Sequence, residues 1–417
     1  METKIMNAIN NPEMLEGLYR SDKKAFVRAF RNIYPEISGN ATAGFWKARL
    51  DYEERGAVKI GFTGRNFLFL ILVCAVCGIL IKLPDIIPID TSFHFYQKNA
   101  AIIVLFGLVA YTMLSRGSVN IRHWLITKVT FIISLLYINL LPSDNASDTI
   151  TLAYLHLPLL LWYIWGLTYI EFDFKDLSKR MDFLRHNGDV VILFAIIALS
   201  GGLLTALTIG LFSAIDINVE RFYSEYVIII GAVSAPVVAS YVLGVFPGVT
   251  SKTASIIANI FSPLVLITLT GYLIGMAITG KDPYDDREFL LVFNCLLIGV
   301  MALIVFAVSE SSGKLARFRG VILFLLSAVT LIVDMIALTA ILYRLSEFGF
   351  TPNRIAVLGF NILVFGNLIS ISARLLRVVT GKSDMGSVEG AIAGYLPVYA
   401  VWAFLISFGF PLLFGMR

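Results

Sequence analysis

Asp334 stands in the middle of a long apolar run, with Ser327 seven residues and Thr330 four residues before it. On a helix these three positions share one face. A charge at the centre of a membrane costs about 2.5–3.5 kcal/mol on insertion scales, so the carboxyl must be protonated, paired or turned towards water. A carboxyl held that way can take up and release a proton or cation; its competing use is an inter-helix hydrogen bond that fixes packing. A second polar set, Ser255, Asn259 and Ser262, also shares one helix face, at i, i+4 and i+7, and runs directly into Pro263. Proline frees a backbone carbonyl one turn earlier, which makes this a second place for ion or substrate contact. The amides Asn294, Asn361 and Asn367 add polar groups within apolar runs, where a structural hydrogen bond is the plainer reading.

These residues are carried on apolar stretches that recur from Phe67 almost to Met416. A bilayer core about 30 Å thick takes about 20 apolar residues per helical crossing. Eleven such spans are read, at 67–82, 99–114, 125–141, 150–169, 190–212, 226–244, 254–278, 289–309, 320–342, 355–374 and 395–414. Of the 417 residues 58% are hydrophobic and 15% charged, which excludes a soluble globular chain. Lipid leaves helices and closed barrels as the spanning structures, and continuously apolar segments such as Val190 to Phe212 lack the alternation of a barrel strand. The expected fold is an all-α polytopic transmembrane bundle (66–417) with a small N-terminal helical module (1–65).

In that module Asn11-Pro12 is a helix start, and Ser21-Asp22 repeats it before Phe26, Phe30, Ile33 and Tyr34, a helix that Pro35 should close. Thr42 should start a further helix bearing Phe45, Trp46 and Leu50. Helices this short need something to pack on: each other, the membrane surface, the bundle or a protein partner.

Lys and Arg accumulate on the cytoplasmic side of a membrane protein. With eleven spans, 25 of the 33 fall on the side of the N-terminus, 11 of them before the first span. This places the N-terminus inside and the C-terminus outside. The net charge of +4 gives no global basic field, and no nucleic-acid partner is expected. The polar first 65 residues do not read as a signal peptide.

Other features read as structural. Cys74 and Cys77 have redox-motif spacing, but apolar surroundings suppress thiolates, and with Cys295 they read as small packing residues. His156 sits among apolar residues as an ordinary packing histidine, while Trp124, Trp162, Tyr163 and Trp165 suit interfacial anchoring, with a deeper position open to the last three. Asn145 with Ser147 matches a glycosylation acceptor, meaningful in a eukaryotic secretory host. The chain has no phosphate loop, zinc-helix motif or nucleophile elbow, so no cofactor or metal is expected and enzyme chemistry is disfavoured. The exception to weigh is a metal-holding pair of Asp85 and Asp90 in the first outer connection.

Between spans nine and ten, Arg344, Phe348, Gly349, Phe350, Thr351 and Arg354 resemble the R-x-x-x-Y-G-L-T-x-x-R signature of domain-of-unknown-function family 4153, bacterial polytopic membrane proteins. Phe348 and Phe350 replace the usual Tyr and Leu. The multi-span layout is also similar, whereas the N-terminal module lies outside the resemblance. It implies a helical protein of the bacterial inner membrane and no defined reaction. In their own right, Thr351-Pro352 reads as a cap followed by a first helical position, with Arg344 and Arg354 placed to pair with Glu347 or to bind an anion.

The sequence thus points to a secondary-transporter-like permease of unknown substrate, with proton or cation coupling at Asp334. The alternative is a non-transporting membrane scaffold or regulatory subunit whose N-terminal module binds a protein partner. An inverted repeat, common in transporters, is not evident in the sequence.

Overall fold

The computed structural model describes residues 1–21, 23–56, 64–87, 89, 93–116, 120–142, 147–213, 218–246, 253–279, 287–308 and 316–416. Among them there is no strand. The chain divides into two units, Met1–Thr63 and Gly64–Arg417.

The first unit comprises α1 (Glu2–Ala8), α2 (Pro12–Ser21), α3 (Lys23–Ile37) and α4 (Ala41–Gly56). Asn11 caps α2 by accepting from the Met14 amide at 3.1 Å, with Pro12 at the first helical position where its missing N–H costs nothing. The helices pack on each other: Leu15, Tyr19, Phe26, Phe30, Ile33, Trp46 and Leu50 are buried together. Trp46 is the hub, with its ring 5.0 Å from Phe26 and 5.3 Å from Tyr19. Two sequence expectations need correction. Pro35 does not close α3, which runs on to Ile37, because a proline so near the end removes a single ladder bond. Thr42 does not start α4; Asn40 does, its side-chain oxygen accepting from the Thr42 amide at 2.8 Å. Asp22 lies outside the described residues. Phe45 is 65% exposed and takes no part in this core.

The second unit begins with α5 (Gly64–Ile81), the single turn α6 (Leu83–Ile86), α7 (Phe95–Arg116), α8 (Ile121–Leu140), α9 (Asp148–Tyr169) and α10 (Leu177–Ser213). It continues with α11 (Glu220–Phe222), which passes through a π turn at Tyr223–Val227 into α12 (Ile228–Val245). Then come α13 (Thr253–Thr279), α14 (Arg287–Val308), α15 (Ala316–Phe348), α16 (Pro352–Val379), α17 (Met385–Phe404), a π turn at Leu405–Gly409, and α18 (Phe410–Leu413). Nine helices among the described residues are long and apolar enough to cross a membrane, counting Glu220–Val245 and Met385–Leu413 as one each. The chain is polytopic in this sense. In α13 and α14 the apolar runs among the described residues are shorter, Phe261–Gly271 and Leu296–Val308, and fall below that length.

Helices outrun the apolar stretches because hydropathy marks the lipid crossing, while a helix persists until its backbone is capped. Thus α10 starts at Leu177, thirteen residues before the apolar run. That added segment carries Arg180, which donates to the Ala393 carbonyl at 3.2 Å, and Arg185, which pairs with Glu389 at 2.7 Å. In the turn before it, Glu171 and Phe172 adopt left-handed φ values of 55° and 58°. The Asp173 carboxyl there is held below its usual range by a 2.7 Å hydrogen bond from Lys179.

Two large apolar cores and two smaller ones fill the bundle among the described residues. One large core joins α7, α8, α9, α10 and α12 around Trp165, Leu157 and Leu161; the other joins α10 and α13 to α17 around Leu297, Leu326 and Leu368. Of the two positions open to Trp165 the structure shows the deeper one: it is a core residue, 1% exposed. Its indole N–H donates to Thr112 Oγ1 at 3.0 Å, which removes the need for a wet end. Trp162 is half-buried and donates to Asn187 Oδ1 at 2.9 Å. Trp165→Phe is expected to cost about 1–3 kcal/mol by leaving part of the site unfilled and Thr112 without its donor, measurable as a lower thermal midpoint of the solubilised protein.

Candidate functional site

The α15–α16 hairpin is the most extensive helix pairing in the bundle. Gly349, at φ 74°, makes the turn, and Thr351 caps α16 by accepting from the Arg354 amide at 3.4 Å. Arg354 closes the same turn, donating to the carbonyls of Phe348 and Gly349 at 2.7 Å each. Arg344 is half-buried and its Nη1 has no hydrogen-bond partner among the described residues, while Glu347 is exposed. The two arginines of the motif thus have different tasks, and neither forms an ion pair with Glu347 among the described residues.

Deeper in the hairpin, Ser372 Oγ donates to Ser327 Oγ at 2.8 Å, which fixes the antiparallel register. Seven residues along α15 from Ser327 is Asp334; seven back along α16 from Ser372 is Phe365. Asp334 therefore lies between the levels of Asn367 and Asn361, about 3 Å from the first and 6 Å from the second along the helix axis at 1.5 Å per residue. Asn361 Nδ2 donates to Asn294 Oδ1 on α14 and to the Val357 carbonyl, both at 2.8 Å. Asn367 Nδ2 donates to the Tyr399 hydroxyl on α17 at 3.0 Å.

The predicted stripe on α15 is buried: Ser327, Thr330 and Asp334 are each 0% exposed. Its members differ in how they are satisfied. Ser327 and Thr330 bond back to their own helix, to the carbonyls of Phe324 at 2.9 Å and Leu326 at 2.7 Å. Asp334 has no such recourse, and neither carboxyl oxygen has a hydrogen-bond partner among the described residues. Asn361 Oδ1 and Asn367 Oδ1 are also buried without a donor. An ionised carboxylate left alone there is unfavourable by several kcal/mol, so the group is suited to binding a positive charge.

The set on α13 is dispersed by comparison. Ser262 is buried and bonds its own helix, to the Ala258 carbonyl at 2.6 Å, and α13 continues through Pro263. Asn259 is half-buried, and the side chain of Ser255 lies outside the described residues. His156 is satisfied by the Leu152 carbonyl at 2.9 Å, a packing role. Asp85 pairs with Lys82 through an ion pair one turn away, while Asp90 and Asn145 lie outside the described residues. Cys74 and Cys77 are free thiols, with Cys77 buried and its Sγ 3.6 Å from the Ile103 carbonyl. Among the described residues no group of three or more His, Cys, Asp and Glu side chains converges.

Two features were not singled out from sequence. Tyr399 reads as an ordinary membrane tyrosine until α17 is seen against α16. Asn99 and Asn139 exchange hydrogen bonds at 2.9 and 2.8 Å between α7 and α8, beside Lys98, which donates to the Leu141 carbonyl at 2.9 Å. That pair is mutually satisfied, so it locks packing. The chain matches no family model, no curated protein and no solved structure.

Proposed function

We propose that the chain is a cation-coupled permease of the bacterial inner membrane, with its N-terminus in the cytoplasm and eleven crossings. The observation that carries this reading is the buried, partnerless Asp334 on a seam of polar side chains. Along α16 the steps are Ser372, Asn367 and Asn361, with Asp334 facing the gap between the last two. From Ser372 to Asn361 this ladder covers about 16 Å, roughly half the thickness of the hydrocarbon core. Polar groups at that depth are kept where they pair or mark an ion path, and Asp334 does not pair among the described residues. The orientation is supported by the Lys and Arg asymmetry, and the bacterial location by the resemblance of the Arg344–Arg354 motif.

Transport is tested in reconstituted vesicles under an imposed proton or sodium gradient. Asp334→Asn keeps the shape and removes the charge; coupled flux should fall about 100-fold, the effect of losing a charge-assisted contact worth about 3 kcal/mol. Flux equal to wild type would remove Asp334 from coupling. No flux in wild type under any gradient would favour the scaffold reading, to which the exposed Phe45 on the separately cored N-terminal unit lends its own support.

A further inference from the structure

We propose that Asp334 and Asn367 form a binding site for a small dehydrated monovalent cation of the sodium class, between α15, α16 and α17. The proposal rests on the permease reading and names its ion.

The amide orientations come first. Asn361 Nδ2 faces two acceptors, Asn294 Oδ1 and the Val357 carbonyl. Flipping that amide would set oxygen against oxygen, so the assignment follows from chemistry. In the orientation shown, Asn367 Nδ2 donates to the Tyr399 hydroxyl and Oδ1 is presented elsewhere, although a hydroxyl could equally donate to the reversed amide. The result is an excess of acceptors. Asp334 Oδ1 and Oδ2, Asn361 Oδ1 and Asn367 Oδ1 are all buried with no donor among the described residues. The Tyr399 hydroxyl, having accepted from Asn367, keeps one hydrogen to give, and one hydrogen does not satisfy the three oxygens of Asp334 and Asn367.

Ligand chemistry then follows from the donor set. A single proton on Asp334, given to Asn367 Oδ1, would with the Tyr399 hydrogen match the oxygens of this site, so the proton is the competing occupant that the sodium titration below separates. A hard cation accepts several oxygens at once, and carboxylate and carbonyl oxygens are the ligands such ions prefer. One carboxylate balances one positive charge. A divalent ion would leave an uncompensated charge in a low-dielectric interior, and magnesium would also demand a shell of retained water. Asn361 is about 9 Å from Asn367 along α16, too far to share one ion with it. With Asn294 it forms the next polar step on the same seam, one on which an ion could pause on its way to Asp334.

The test uses the full chain purified in detergent, with its thermal midpoint followed as sodium chloride replaces choline chloride at constant ionic strength. The midpoint should climb steadily with the logarithm of sodium concentration, as for any ligand that binds the folded state. Asp334→Asn and Asn367→Leu should each flatten that rise. A flat titration of the wild type overturns the proposal without reference to any variant, and so does a sodium response that survives in Asp334→Asn. Failure of the permease reading looks different: sodium shifts the midpoint and Asp334→Asn abolishes the shift, yet vesicles show no flux. Flux driven by protons alone and indifferent to sodium keeps the permease and overturns the sodium site.

Discussion

Asp334→Leu is expected to stabilise the protein in sodium-free buffer by about 1–3 kcal/mol while abolishing cation-driven flux. The two effects share one cause. Both carboxyl oxygens are buried without a partner among the described residues, so the wild type carries the desolvation penalty of a polar group with no hydrogen bond in return. Leucine keeps the same branched skeleton, with methyl groups somewhat larger than the oxygens, and puts an apolar side chain at a position that is 0% exposed. The opposite view, that the carboxyl fixes helix packing through a hydrogen bond, predicts the opposite sign. Removing one member of a buried bonded pair leaves the other unsatisfied and lowers stability. Thermal unfolding in choline buffer separates the two views: a lowered midpoint would mean that Asp334 is a packing residue. A site tuned for binding carries this kind of local instability, because the ligand supplies the missing contacts.

Much of this arrangement is legible in the chain, and the reasons for the gaps are physical. A carboxyl flanked at helical spacing by Ser327 and Thr330 announces a buried polar face, because lipid tolerates no other placement. What spacing does not say is which hydroxyls need a partner from another helix. Ser327 and Thr330 bond carbonyls of their own helix, so the stripe of three contains a single group in need. The amides Asn294, Asn361 and Asn367 stand out individually in apolar runs, but their pairing depends on the antiparallel register set at Ser327–Ser372, a tertiary fact. Tyr399 escapes notice because a membrane tyrosine is usually an interfacial anchor. Trp165 reads as either an anchor or a deeper residue, and what decides between them is tertiary: its partner Thr112 lies two helices earlier. Helix bodies follow hydropathy closely, while helix ends follow capping, which is why Asn40 and not Thr42 begins α4 and why α10 reaches back to Leu177.

The second large effect concerns how α16 is held against α17, since that contact positions Asn367 by Tyr399. A Cβ at Gly359 would lie 2.0 Å from Trp402 Cζ2, and one at Gly366 would lie 2.9 Å from the Tyr395 hydroxyl. The two glycines are seven residues apart on α16, and the two aromatics are seven apart on α17 in the opposite direction. Two missing side chains thus accept two large rings in one antiparallel register, the close approach that small residues permit between membrane helices. The Trp402 ring has little room to retreat, because it packs edge-on against Phe410 at 6.1 Å. Gly359→Ala should cost about 1–3 kcal/mol by overpacking, and Gly359→Leu more, by forcing the helices apart. Gly394 is the control, since a Cβ there would meet nothing within 4 Å. Gly394→Ala on the same α17 should be neutral or stabilising by up to about 1 kcal/mol through helix propensity alone. Thermal midpoints of the three variants test the register directly: equal losses at 359 and 394 would show a general intolerance of the helices to substitution. Loss at 359 alone would show the Gly359–Trp402 contact, and its loss should also flatten the sodium response by moving the Asn367 oxygen away from Asp334.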